Sequence, residues 1–224
     1  MNWNIDRCTC WMQQKDKQIH WCYPVEGQEF PDPANYAGVV VFGGANSAND
    51  CSEHDWVKRE LEFVEQCLKS DVGFFGICLG AQMLARTLGA QVRPHEQQIK
   101  EIGFSRVDPV SEAPQFLQTP LMIMQWHSEG FELPASTRLI ATGEDFPNQA
   151  YQMNDRVLGL QFHPEVNPEV LAIWHERNKT MPSGVLTEEE RVSMMADAHR
   201  YDASITGWLD GIFTDWTHKC ETFA

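Results

Sequence analysis

The stretch DVGFFGICLGAQMLARTL, residues 71–88, decides the fold of this chain. Residues 71–77 form an apolar run typical of a buried strand, and the apolar side chains of residues 80–88 recur at helical spacing. Cys78 lies at the junction, between Gly76 and Gly80. A nucleophile between two glycines at such a turn is a nucleophile elbow, which exposes the side chain above the sheet and at a helix N-terminus, where thiolate is favoured. The alternative, a small buried hydrophobic cysteine, explains neither glycine.

The same order of a strand followed by a helix is predicted before this stretch. Residues 38–42, GVVVF, read as a buried strand that ends in Gly43-Gly44, and residues 53–68 carry apolar side chains at helical spacing. Strand, helix, strand, helix is typical of a parallel sheet covered on both faces. The predicted fold is therefore α/β: a doubly wound, mostly parallel sheet flanked by helices, like that of flavodoxin.

The second half of the chain predicts further strands and then helices. Short strand-like runs, separated by turn residues, occupy residues 103–107, 121–126, 138–142, 149–153 and 157–162. They indicate additional strands of the sheet and a small antiparallel section. Helices are predicted over residues 170–177 and, as one or two helices, over 188–216, with a loop at Pro182-Ser183-Gly184. We expect a single domain over residues 1–224, with a C-terminal helical extension at 186–216.

The N-terminus departs from this pattern. A doubly wound domain usually opens with an apolar strand, and residues 1–16 contain none. The first strand-like segment is Ile19 to Tyr23. Either the first strand is missing from this chain, or Trp3 to Cys10 takes its place, and the sequence leaves both open.

Composition narrows the classes of partner. The formal net charge is -15, which repels phosphate backbones and anionic lipid, so neither nucleic acid nor a membrane surface is an expected partner. No apolar run approaches the roughly 20 residues that span a bilayer, and no signal core opens the sequence. A cytoplasmic protein with reduced cysteines is expected. Nothing in the sequence requires a metal or an organic cofactor.

A base and its orienting carboxylate follow the last predicted strand, in the stretch VLGLQFHPEV, residues 157–166. His163 comes at the strand end, where the sites of α/β proteins form. Glu165 is two residues on, so in extended backbone its carboxylate points to the same side and can orient the imidazole. Pro164 favours extended geometry at His163. Together with Cys78 these residues predict a Cys-His-Glu triad.

Two other features have open interpretations. The oxyanion of a tetrahedral intermediate needs donors, for which the backbone N–H of Leu79 and the Gly43-Gly44 loop are candidates; an ordinary turn is the alternative. His127 is a rival base, because Glu129 also stands two residues after it, or else a surface histidine. The tryptophans at positions 56, 126 and 174 are expected in the core.

The motifs GICLGAQ, residues 76–82, and QFHPEV, residues 161–166, resemble those of the class I (triad) glutamine amidotransferase family. Gly43-Gly44 before residues 47–50 resembles the family's oxyanion loop. The resemblance covers about residues 19–175, with three motifs in the family's order. Within the family the chain is most similar to stand-alone members that resemble the glutaminase domain of GMP synthase.

The resemblance assigns roles to individual residues. It implies Cys78 as nucleophile, His163 as general base and acid, and Glu165 as orienting residue. The other implied positions are oxyanion donors at Gly44 and Leu79, a glutamine-contacting residue at Gln82, and a position near the substrate pocket for His127.

The resemblance also implies an activity, the release of ammonia from glutamine through a γ-glutamyl thioester. No synthetase domain follows in this chain, so the ammonia would pass to a separate partner. Two alternatives stay open: a γ-glutamyl hydrolase or peptidase with the same chemistry, and a non-catalytic regulatory relative, which the unrecognised first strand would suggest.

Overall fold

A computed structural model describes residues 5–178 and 186–222 of the chain. Its helices are α1 Arg7–Gln14, α2 Asp55–Lys69, α3 Leu79–Thr87, α4 Pro168–Asn178 and α5 Glu188–Thr222. Its strands are β1 Gly38–Val41, β2 Gly73–Ile77, β3 Val92–Pro94, β4 Glu101–Pro109, β5 Leu121–His127, β6 Glu129–Phe131, β7 Arg138–Thr142, β8 Ala150–Asn154 and β9 Val157–Leu160.

Seven strands of the described residues form one sheet in the order β1-β2-β9-β8-β7-β4-β5. Strands β1, β2 and β9 run parallel, and β8, β7, β4 and β5 continue the sheet with antiparallel pairs. Strands β3 and β6 form a separate antiparallel pair. The carboxyl ends of the three parallel strands therefore meet at one edge, where α/β folds place their sites.

Strand β2 is buried along its whole length because helices cover both faces of the sheet. Its side chains alternate between the faces. Phe74 packs into an apolar cluster with residues of α2 and α3, and Phe75 packs into another with Phe213 and Trp216 of α5. Helix α5 thus contributes to the main core.

The predicted α/β fold, with a sheet flanked by helices and an antiparallel part, is confirmed. The helices and strands expected from residue 38 onwards are present, and residues 188–216 belong to one helix, α5. The expected loop at Pro182-Ser183-Gly184 lies outside the described residues. The single-domain organisation stays a prediction.

The strand expected at Ile19 to Tyr23 is wrong, because this segment joins no sheet. Side-chain packing holds it: the Trp21 ring stacks on Tyr23 and on Phe42, with ring centroids 6.0 Å and 5.9 Å apart. Residues 7–14 form helix α1, and no strand precedes β1 in the part of the chain that the structure describes. The segment from Trp3 to Cys10 therefore does not supply the first strand at its described residues.

Across residues 5–178 and 186–222, no helix combines the length and the apolarity that crossing a membrane requires.

Candidate active site

Cys78 occupies a sharp turn between β2, which ends at Ile77, and α3, which begins at Leu79. Its backbone has φ 49° and ψ -105°, a positive φ that side chains rarely adopt and that costs about 1–3 kcal/mol. Backbone hydrogen bonds fix the turn: the Cys78 N–H donates to the carbonyl of Leu160 at 2.7 Å, and the Gln82 N–H donates to the carbonyl of Cys78 at 2.9 Å. The predicted turn between strand and helix is present, with strain stored at the cysteine, but the side chain of Cys78 is buried, so its expected exposure above the sheet is wrong.

The two flanking glycines are required because backbones touch there. A Cβ on Gly76 would lie 2.7 Å from the carbonyl carbon of Gly80, at the start of α3. A Cβ on Gly80 would lie 2.2 Å from the carbonyl oxygen of Val41, at the end of β1. Both distances are shorter than van der Waals contact, so the start of α3 can rest on the two strands only without side chains at these positions.

His163 and Glu165 lie against each other as their spacing predicts. The Nδ1–H of His163 donates to Oε1 of Glu165 at 2.7 Å, and both side chains are buried. The backbone N–H of His163 donates to the carbonyl of Met124 at 2.8 Å, which ties the segment to β5. The ring of Trp174 packs edge-on against the imidazole at a centroid distance of 5.0 Å, so this tryptophan supports the site as well as the core.

The Gly43-Gly44 loop brings these groups together. A Cβ on Gly43 would lie 2.7 Å from Cε1 of His163 and 3.4 Å from Cβ of Cys78. A Cβ on Gly44 would lie 2.8 Å from Cδ2 of Leu79. The loop therefore lies against the side chains of Cys78 and His163 and places the Gly44 backbone beside Leu79, whose N–H belongs to the unpaired first turn of α3.

The imidazole of His163 has an unusual proton affinity. Burial lowers the pKa of His163, but the charges of Glu165 and Cys78, together with the hydrogen bond to Glu165, outweigh burial and raise that pKa from 6.5 to about 10. The site thus favours an imidazolium at neutral pH.

We expect Glu165→Gln to lower the pKa of His163, because glutamine keeps a hydrogen-bond acceptor but loses the negative charge. In the wild type this pKa lies above its ordinary 6.5, so the stabilisation is full below that pH and is lost progressively as pH rises through about 10. In the variant, whose His163 pKa is lower, this stabilisation should be fully lost at a lower pH than in the wild type. An NMR titration of the imidazole and unfolding curves at several pH values measure both effects. Glu169→Gln, at the exposed start of α4, is the matched control; equal titrations in both variants would contradict the assignment.

Gln82 and Gln161 connect the elbow to the strand before His163. The side-chain amide of Gln82 donates to Oε1 of Gln161 at 3.2 Å and to the backbone carbonyl of Glu129 at 3.0 Å. The amide of Gln161 in turn donates to Sγ of Cys78 at 3.7 Å. Gln161, to which the sequence assigned no role, therefore contacts the sulfur directly. Its sequence signal is its place as the first residue of the QFHPEV motif, two residues before His163.

His127 is engaged in a different network. Its Nδ1 lies 3.0 Å from the carbonyl of Glu129, and its Nε2 lies 2.9 Å from Oε2 of Glu101 and 3.1 Å from Oε1 of Gln125. The histidine is buried, so the surface interpretation is wrong. Both nitrogens have partners, which disfavours a role as base, and the carbonyl of Glu129 links His127 to Gln82. Glu101, a partner that the sequence did not indicate, lies 26 positions away along the chain.

Within the described ranges, no group of three or more His, Cys, Asp and Glu side chains is arranged to hold a metal ion.

Comparison with known proteins gives a consistent result. Residues 1–179 match the model of the family described as glutamine amidotransferase class-I. The chain is 37% identical over 135 residues to a glutamine-hydrolyzing GMP synthase of Thermomicrobium roseum, covering 58% of this chain and 23% of the synthase. It is 27% identical over 168 residues to gamma-glutamyl peptidase 4 of Arabidopsis thaliana, covering 70% of this chain and 66% of the peptidase.

A solved structure shares the fold. The crystal structure of a glutamine amidotransferase from Thermotoga maritima superposes with a TM-score of 0.85 at 27% identity, covering 95% of this chain and 92% of that one.

Proposed function

Since this chain belongs to the class I glutamine amidotransferase family, we propose that it hydrolyses the side-chain amide of glutamine through a thioester on Cys78. The observation that carries the proposal is the convergence of Cys78, His163 and Glu165 on the Gly43-Gly44 loop. A strained cysteine, a carboxylate-bound imidazole and free backbone N–H groups are the parts that acyl transfer needs.

In the first step the Cys78 thiolate attacks the side-chain carbonyl carbon of glutamine, and the carbonyl oxygen becomes an oxyanion. The N–H groups of Leu79 and Gly44 donate to that oxygen. The imidazolium of His163 then gives its proton to the amide nitrogen, the C–N bond breaks, and ammonia leaves a γ-glutamyl thioester. Glu165 stabilises the imidazolium throughout and keeps Nε2 directed at the reacting atoms.

In the second step His163, now neutral, takes a proton from water while the water oxygen attacks the thioester. The C–S bond breaks, glutamate is released, and the Cys78 thiolate and the His163 imidazolium are restored. No electron acceptor or metal is needed to balance either step. We propose that Gln82 contacts the substrate through its side-chain oxygen; the support is that its amide nitrogen donates to two protein oxygens, which fixes the orientation of the side chain.

We further propose that the ammonia passes to a separate synthetase partner. The supporting observation is the match to a GMP synthase, a name that couples glutamine hydrolysis to a synthesis reaction. The match covers 23% of that synthase.

A second candidate is the hydrolysis of γ-glutamyl peptides by the same thioester chemistry. The match to a gamma-glutamyl peptidase supports it, since that match covers more of both chains than the match to the synthase does. In this case the proton of His163 would go to the nitrogen of the departing peptide instead of to ammonia.

Glutamate release from glutamine and from γ-glutamyl di- and tripeptides separates the two candidates, with ammonia measured alongside. Glutamate and ammonia from glutamine in equal amounts would support the first. Turnover of peptides alone would overturn it in favour of the second. If neither glutamine nor the peptides are turned over, and a γ-glutamyl chloroketone does not label Cys78, a non-catalytic relative would be favoured.

A further inference from the structure

Arg7, the first residue of α1, forms hydrogen bonds with the backbone of the segment that carries Glu165. Its backbone N–H donates to the carbonyl of Glu165 at 2.9 Å. Its Nη1 donates to the carbonyl of Pro164 at 3.1 Å and also to the carbonyl of Val166. Three consecutive carbonyls, those on and beside Glu165, are therefore bound by one residue located 158 positions earlier in the chain.

The guanidinium is itself held in place by α5. Its Nη2 forms an ion pair with Asp202 at 2.6 Å, and its Nε donates to the hydroxyl of Thr206 at 3.1 Å. The side chain of Arg7 is only 5% exposed and its bonds to the two carbonyls are buried, whereas the side chain of Asp202 is 46% exposed, so the ion pair lies at the surface end of the contact. The planar guanidinium thereby joins α5 to the residues on either side of Glu165.

The carboxylate of Glu165 depends on this backbone for its position. Its Oε1 bonds to His163, while its Oε2 is buried and has no hydrogen-bond partner among residues 5–178 and 186–222. No other side chain of the described part of the chain donates to this carboxylate, so the main chain must set where it lies. Asn167 ties the same segment to the N-terminus by donating to the carbonyl of Ile5.

We propose that Arg7 is a positioning residue, which fixes the main chain at Glu165 and thereby holds its carboxylate against His163. The inference rests on the proposed function of the triad, but it concerns a residue outside the motifs that define the triad. Through this contact α1 takes part in the site, so the N-terminal segment before residue 19 has a role that the triad motifs do not indicate.

The test is Arg7→Lys in the full chain. Lysine keeps the positive charge but not the planar fork, so it cannot bind the same carbonyls, Asp202 and Thr206 together. We expect kcat to fall about tenfold with little change in KM, because a displaced carboxylate misplaces the imidazole that acts in the reaction. The pKa of His163, followed by NMR, should fall with it. Arg191→Lys is the matched control, since Arg191 also bonds to a backbone carbonyl and to a carboxylate, at the start of α5.

Two readouts keep the test independent of the substrate. The rate at which iodoacetamide alkylates Cys78, measured against pH, reports the thiolate and imidazolium pair without any glutamine turnover. If Arg7→Lys weakens the imidazolium, the pH at which alkylation sets in should rise, and such a rise supports the proposal even if glutamine is not the substrate. A wild-type His163 titration and alkylation profile in folded Arg7→Lys would overturn it. If that variant does not fold, Thr206→Val removes one contact to the guanidinium and should shift the profile in the same direction; an unchanged profile would again overturn the proposal.

Discussion

Cys78→Ala should lower the rate of glutamine hydrolysis by about 10⁴-fold or more, because the thioester cannot form without the sulfur. His163 and the oxyanion donors would remain, but the methyl group of alanine gives them no nucleophile to assist. Ammonia release, measured with excess enzyme over hours, gives the residual rate. Activity within tenfold of the wild type would overturn the assignment of the nucleophile.

The matched control for this loss is Cys22→Ala. Cys22 is half-buried on the segment before β1, and its thiol donates a hydrogen bond to the carbonyl of Glu29. We expect full activity in this variant. Both variants should unfold at nearly the wild-type denaturant concentration, since alanine removes only one sulfur atom at either position and can adopt the backbone angles of cysteine. A large loss of stability in Cys78→Ala alone would mean that its inactivity reflects unfolding.

The elbow and the His-Pro-Glu segment could be predicted because their geometry is local. Two glycines around Cys78 specify a turn that only a strand followed by a helix produces, and the spacing of two between His163 and Glu165 specifies one side of an extended chain. In each case the residues that decide the geometry are within a few positions of each other. The same holds for α2 and α3, whose apolar spacing alone marks the buried face.

The hydrogen bonds and ion pairs that hold the site residues in place could not be predicted, because they join residues far apart in sequence. Arg7 reaches Pro164 and Val166, and Glu101 reaches His127, through contacts that exist only once the sheet has formed. Neither an arginine at the start of a helix nor a glutamate at the start of a strand shows, in its neighbouring sequence, which distant residue it will contact.

The prediction of a strand at Ile19 to Tyr23 was wrong for a related reason. Its apolar and aromatic content suits a strand, but a strand also needs a neighbour with which to pair. Here Trp21 packs on the side chain of Phe42, and the segment makes no ladder with β1. Pairing is a property of two segments, so the composition of one could not decide it.

Gly80→Ala should destabilise the fold by about 3 kcal/mol, although alanine is the better helix former. The added methyl group would lie 2.2 Å from the carbonyl oxygen of Val41, which belongs to the backbone of β1 and cannot rotate away. Relief requires α3 and β1 to separate, and β1 leads directly into the Gly43-Gly44 loop. The variant should therefore also lose activity at temperatures where it is still folded. Chemical denaturation and the hydrolysis rate measure the two effects.

Gly207→Ala is the control with the opposite sign. Gly207 lies in the middle of α5, and a Cβ there would meet nothing within 4 Å. Alanine should therefore stabilise the protein by about 0.5–1 kcal/mol, through helix propensity alone. The same substitution, in two helices of one protein, should thus change stability in opposite directions. If both variants were stabilised, α3 would not rest on β1 as closely as described, and the geometry that aligns Cys78 with the loop beneath it would have to be revised.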